Sequence, residues 1–196
     1  MRDVLDVPGA GGVHAGGGGG PAGGCVRPVG TEGRQQVRFA YADPPYPGQA
    51  KRWYGDHPDY AGEVDHSELI ARLERDYPDG WALSTSAPAL QDVLALCPPG
   101  VRVGIWYRPN SEPPGNRGRW HWSWEPVIIC RGRREGITAR DILTWPKPQG
   151  VLAGQKPPQF TRWVWTLLGA QPDDDMDDLY RGSGAVALEV AQGVLL

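Results

Sequence analysis

The chain has 196 residues, 40% apolar and 22% charged, which fits one globular domain with a core and excludes a disordered or fibrous polymer. The net charge of −3 excludes a uniformly basic chain, and no apolar run reaches the roughly 18 residues a membrane span requires. Cys25, Cys97 and Cys130 are far apart and odd in number, so they supply neither a disulfide framework nor a metal-ligand spacing, and a reducing cytoplasm is the expected compartment.

Residues 1–36 hold 12 of the 28 glycines, a composition that buries too little apolar surface to offset its chain entropy. They are expected to be a flexible tail, with a folded domain over 37–196. The N-terminus lacks the basic-then-apolar order of a signal peptide. "VRFAYA" (37–42) reads as a strand. "DHSELIARLERDY" reads as a helix with Asp65 as N-cap and Leu69, Ile70 and Leu73 on one face. "GWALSTS" (80–86) is a strand, and "APALQDVLALC" (87–97) a helix stopped by Pro98, Pro99 and Gly100. "VRVGIWY" (101–107) and "WEPVIIC" (124–130) are strands, whereas "ARDILTW" is ambiguous. "PPQFTRWVWTLLG" (157–169) is a helix closed by Gly169. "MDDLY" (176–180) is a last strand, followed by a glycine turn and the helical "AVALEVAQ". Strands alternating with helices predict an α/β fold with a mostly parallel sheet.

The first strand runs into "DPPY", Asp43 to Tyr46, at the edge where open α/β sheets bind ligands. Asp43 is an acceptor-only carboxylate, suited to an amino group. Pro44 and Pro45 fix φ and present carbonyls without a competing N–H. Tyr46 offers a flat face for a planar ring, worth about 1–3 kcal/mol per stacked base. Together these residues make a site for a ring bearing an exocyclic NH₂.

"DPPY" resembles the catalytic motif of amino-methylating nucleic-acid methyltransferases, which transfer a methyl group from S-adenosylmethionine (SAM) to adenine N6 or cytosine N4. "DLYRGSG", Asp178 to Gly184, resembles that family's cofactor loop, with Tyr180 in the aromatic place. "GQKPPQFTRWVWTLLG" resembles the Lys-Pro helix that precedes the loop in permuted members. Motifs in that order are similar to the permuted class, to small phage-encoded adenine methyltransferases and to the mRNA adenosine-N6 methyltransferase branch. The resemblance implies a Rossmann-like methyltransferase sheet, reduced in strand number. It also implies SAM held by Asp43, Lys156, Pro157, Asp178, Tyr180, Gly182, Ser183 and Gly184, with Asp43, Pro44, Pro45 and Tyr46 as the catalytic set. No metal is implied. The activity implied is adenine-N6 methylation of DNA, in a bacterial or phage-infected cytoplasm. Cytosine-N4 methylation, an RNA substrate and a non-catalytic nucleic-acid-binding subunit remain open alternatives.

The charge is unevenly spread. Residues 101–140 hold eight Arg against three Glu, interleaved with aromatics, a mixture that grips phosphates and stacks on bases. Arg108, Arg117, Arg119, Trp120, Trp122, Arg131, Arg133 and Arg134 are therefore expected to contact nucleic acid, with Lys51 and Arg52 beside the catalytic motif. Alternation in a strand would nevertheless bury about half of the tryptophans. His57 and His66 flank a polar loop whose spacing matches no metal motif. A reduced sheet would leave an edge that a second copy of the chain could cover.

Overall fold

A computed structural model describes residues 37–48, 62–111, 121–149 and 155–180 of the chain. The glycine-rich segment 1–36 and the helix expected over "AVALEVAQ" lie outside these residues.

Nine elements follow one another among the described residues. They are β1 (Arg38–Ala42), α1 (His66–Asp76), β2 (Gly80–Ser84), α2 (Leu90–Leu94), β3 (Arg102–Tyr107), β4 (Trp124–Arg131), β5 (Ile142–Thr144), α3 (Pro158–Leu168) and β6 (Asp175–Asp178). The strands form one sheet in the order β5-β3-β4-β2-β1-β6. β1 pairs in parallel with β2 and β6, and β3 with β5. β4 is antiparallel to both its neighbours, β2 and β3. The sheet is therefore mixed rather than mostly parallel. The reason is local: β3 and β4 pair residue for residue from Arg102↔Ile129 to Tyr107↔Trp124, an antiparallel ribbon that needs no crossover helix.

Both faces of the sheet are covered. Alternation along β1 sends Phe39 and Tyr41 to one side, where they meet Phe160, Trp163, Val164 and Leu168 of α3. Ala40 and Ala42 point the other way, to Leu69, Ile70 and Leu73 of α1 and Val93 of α2. Each large apolar side chain so buried contributes about 1.5–3 kcal/mol. α1 starts where the sequence predicts, with the Asp65 carboxylate accepting from the N–H groups of Ser67 and Glu68. α3 ends at Gly169, whose φ of 67° is the left-handed cap.

α2 is shorter than the 87–97 read from the sequence. Bonds from Leu90 N–H to the Ala87 carbonyl, and from Cys97 N–H to the Leu94 carbonyl, span three residues and tighten both ends into turns. The ambiguous "ARDILTW" contributes β5, an edge strand. Tryptophan burial follows packing: Trp81 and Trp106 of the strands and Trp163 and Trp165 of α3 are buried, whereas Trp122 and Trp145, outside the strands, are exposed.

Candidate active site

Every strand except β4 runs in one direction, so the carboxyl ends of β1, β2, β3 and β6 share an edge with the start of β4. The register fixes this: Ala42 pairs with Leu83, Tyr41 with Asp178, Ser84 with Val127 and Trp106 with Glu125. Asp43 follows Ala42 on this edge. The end of β6 lies beside it, tied by a 3.0 Å bond from Leu179 N–H to the Tyr41 carbonyl. Beyond it, Tyr180 N–H donates to Asp178 Oδ1 at 3.2 Å.

The DPPY turn meets the start of α3 here. Lys156 Nζ donates to Asp43 Oδ2 at 2.8 Å and lies 3.4 Å from Glu125 Oε2. The Tyr46 hydroxyl donates to Glu125 Oε2 at 2.9 Å and accepts from Lys156 Nζ at 3.4 Å. Arg108 Nη1 donates to Glu125 Oε1 at 2.6 Å, and its Nη2 to the Trp122 carbonyl at 2.9 Å. Side-chain exposure is 19% for Asp43, 6% for Lys156, 16% for Glu125 and 12% for Arg108, so the four charges are mostly withdrawn from water. Two carboxylates and two cations balance, as buried charges must. Beneath them the Tyr41 hydroxyl bonds to Ser84 Oγ at 2.9 Å.

The charges do not respond alike. Burial alone would lower the Lys156 pKa, but Asp43, Tyr46 and Glu125 hold it well above its ordinary value, and the group stays an ammonium. Burial would raise Glu125, yet Lys156 and Arg108 outweigh it and hold the carboxyl below its ordinary range. Asp43 goes the other way: burial raises its pKa by more than Lys156 lowers it. Geometry agrees with this, because among the described residues Asp43 Oδ1 is buried without a hydrogen-bond partner. Only one of its two oxygens is engaged.

The expected site residues fall into three groups. Asp43, Pro44, Pro45, Tyr46, Lys156, Pro157, Asp178 and Tyr180 all lie at or beside this edge, with Pro157 capping α3. Arg108, expected to grip phosphate, instead has its guanidinium committed to Glu125 and Trp122. Trp122 stands exposed near the edge, ring against ring with Trp124 at 5.8 Å. Arg131 and Arg133 lie at the opposite edge, since Arg131 pairs with Gly80 at the beginning of β2. There Arg131 pairs with Glu74, and Arg133 with the buried Asp174. Arg134, next in the chain, is exposed. Lys51, Arg52, Arg117, Arg119, Trp120, Gly182, Ser183 and Gly184 lie outside the described residues.

Glu125 was not among the expected residues. Its signal was present in the sequence: one acid in "WEPVIIC", alternating onto the same face as Val127 and Ile129. A lone carboxylate on a core-facing strand position needs partners, and that alone marks it.

The thiols and the histidine read as structural. Burial pushes Cys97 up to about 11 and Cys130 up to about 12, so neither supplies thiolate near neutral pH. His66 is buried at the start of α1, with Nδ1 donating to the Val64 carbonyl, and His57 lies outside the described residues. Among the described residues no three His, Cys, Asp or Glu are grouped to hold a metal, and no helix is long and apolar enough to cross a membrane.

No protein-family model matches the chain, and no curated protein sequence does. Solved structures do. The crystal structure of the M1.HpyAVI–SAM complex aligns with a TM-score of 0.54 at 17% identity, over 81% of this chain and 79% of that one. A second crystal structure of M1.HpyAVI gives the same TM-score and identity, with 77% of its chain covered. At this identity the likeness establishes the fold, and the chain shares it with M1.HpyAVI.

Proposed function

We propose that the chain is a SAM-dependent methyltransferase that methylates the exocyclic amino group of adenine, at N6, in DNA. The observation that carries this reading is Asp43, a carboxylate on the ligand-binding edge with Oδ2 held by Lys156 and a buried Oδ1 left bare. An amino group is the natural donor to such an oxygen. A planar base set against Tyr46 brings its NH₂ to Asp43 Oδ1 and the Pro44 carbonyl, and the two bonds aim the nitrogen lone pair. Extruding that base from a duplex costs on the order of a few kcal/mol, and the stack on Tyr46 offsets part of it. Alignment and electrostatics then supply the rate.

SAM would supply a methyl group on a sulfonium: the N–CH₃ bond would form as the S–CH₃ bond breaks, with the neutral thioether as leaving group and the surplus amine proton released to water. The residues present suit SAM, because the Lys156 ammonium would attract the carboxylate of its methionine end, while Asp43, whose Oδ2 holds Lys156, would border the pocket on the side of the target amine. Pro157, Asp178, Tyr180, Gly182, Ser183 and Gly184 complete the pocket by the motif resemblance. That M1.HpyAVI was solved with SAM on the same fold supports the cofactor. DNA is the partner assigned by the resemblance to small phage-encoded adenine methyltransferases, the motif order being shared with an RNA-methylating branch. Lys51, Arg52, Arg117, Arg119, Trp120 and Trp122 are the candidates to hold it, and a second copy of the chain would pair at an edge strand. The protein acts in the cytoplasm of a bacterium or of a phage-infected host.

The test is nucleoside mass spectrometry of DNA after incubation with the protein and SAM, alongside calorimetric titration with SAM. N6-methyl-2′-deoxyadenosine and a heat of binding are expected. N4-methylcytosine, or methylation of RNA alone, would redirect the substrate. No heat of binding would leave a nucleic-acid-binding subunit instead of an enzyme.

A further inference from the structure

We propose that Glu125 is a positioning residue of the transfer site: it holds the Tyr46 phenol and the Lys156 ammonium so that Asp43 keeps one oxygen bare for the incoming amino group. The inference rests on the methyl-transfer reading above and adds to it a residue that no motif contains.

The two oxygens of Glu125 are divided between two tasks. Oε1 takes Arg108 Nη1 at 2.6 Å. Arg108 is itself anchored by the Trp122 carbonyl and lies 5.7 Å from the Trp106 ring centroid. That pair alone would neutralise a buried carboxylate. Oε2 is turned instead toward the DPPY turn, with the Tyr46 hydroxyl at 2.9 Å and Lys156 Nζ at 3.4 Å. It reaches there across the end of β2, since β4 and β1 are not neighbours in the sheet.

Each contact has a consequence for the site. A tyrosine ring turns about two side-chain bonds; tethering the hydroxyl fixes the direction of the ring axis, and the preference of a phenol O–H for the ring plane then orients the face against which a base would stack. The ammonium stands between two carboxylates, 2.8 Å from Asp43 Oδ2 and 3.4 Å from Glu125 Oε2. Without the pull of Glu125, Lys156 would be free to bridge both oxygens of Asp43. Oδ1, the oxygen without a partner, would then be covered and the amino group refused.

The experiment compares the full-length protein with Glu125→Gln, Tyr46→Phe, the combination of those two, and Glu125→Gln/Arg108→Gln. The last variant avoids leaving a buried guanidinium unpaired. The Glu125→Gln change is expected to lower kcat/KM for DNA about 10- to 100-fold. Combining it with Tyr46→Phe should cost less than the sum of the two, because both act through one contact. In ¹⁵N- and ¹³C-labelled protein the Lys156 Nζ and Tyr46 ring signals should move on Glu125→Gln. Wild-type transfer rates in folded Glu125→Gln and Glu125→Gln/Arg108→Gln would overturn the assignment, as would Lys156 and Tyr46 signals that stay put. If the wild-type protein methylates no DNA, the transfer reading alone falls, and the resonances still decide whether Glu125 governs Tyr46 and Lys156.

Discussion

Lys156 Nζ lies 2.8 Å from Asp43 Oδ2, although 113 residues separate the two in sequence. The contact closes the site: it joins the turn after β1 to the residues that lead into α3. It also leaves Asp43 Oδ1 without a hydrogen-bond partner among the described residues, and this asymmetry decides what the first substitution should do. Asp43→Ala removes the acceptor, so methyl transfer should fall by about 100- to 1,000-fold or more. Circular dichroism should remain native, because Asp43 lies beyond the last residue of β1. Methylation at the wild-type rate in Asp43→Ala would end the proposed mechanism.

The acid limb of the reaction should report Asp43. The groups facing it are Lys156 of the α3 approach, Glu125 of β4, Tyr46 of its own turn and Tyr41 of β1. Burial raises its pKa above 3.8, so the carboxylate needed as acceptor forms at a higher pH than for a free aspartate. By linkage, a group raised in the folded state favours folding when protonated, and that contribution fades as pH rises through the folded pKa. Asp43 should therefore cost stability at neutral pH while serving the reaction. The pH profile of kcat/KM should show an acid limb displaced upward from that of a free aspartate, and Lys156→Met should push it higher still. A limb unmoved by Lys156→Met would mean that the group being titrated is not Asp43.

Much of this architecture is legible in the sequence, and the parts that are not have physical reasons. Asp65 and Gly169 mark a helix start and a helix end through local chemistry, and both stand where expected. Asp43 and Lys156 come from separate motifs, and it is β1 and α3 packing through Phe39, Tyr41 and Phe160 that brings them together. Strand direction is less accessible. The apolar run of β4 reads alike in either direction, so its antiparallel pairing appears only with the register to β2 and β3. The arginines divide for a related reason. Charge density groups Arg108, Arg131 and Arg133 in one basic segment, but β4 carries the chain across the sheet and sets the latter two at the far edge. Glu125 escaped notice because a single acid in a strand has no motif around it.

At that far edge Arg133 and Asp174 should serve stability. The Asp174 carboxylate is nearly fully buried, 2.7 Å from Arg133 Nη2, and also accepts from the N–H groups of Val37 and Gln171. It fastens the segment after β4 to the entries of β1 and β6. Arg133→Ala leaves that carboxylate buried with its charge partner gone, a loss of about 3 kcal/mol. Denaturant titration should show the midpoint falling, while cofactor binding at low temperature stays within twofold of wild type. Unchanged stability would return Arg133 to the set of candidate phosphate contacts.

Gly104 should tolerate no side chain. It lies in β3 beneath the indole of Trp163, and a Cβ there would stand 2.9 Å from two ring carbons. The neighbour cannot swing aside easily, because Trp163 is buried against Phe160 at 5.8 Å and its Nε1 donates to the Arg140 carbonyl at 2.8 Å. Backbone conformation is not at issue, since Gly104 is an ordinary strand residue. Gly104→Ala should therefore cost about 1–3 kcal/mol by overpacking, against the few tenths usual at an open strand position. Pairing it with Trp163→Phe, which removes the outer ring, should return most of the loss, as expected for two groups in direct contact. Thermal melts of the single and double variants measure this, and additive losses would show that the indole does not press on β3.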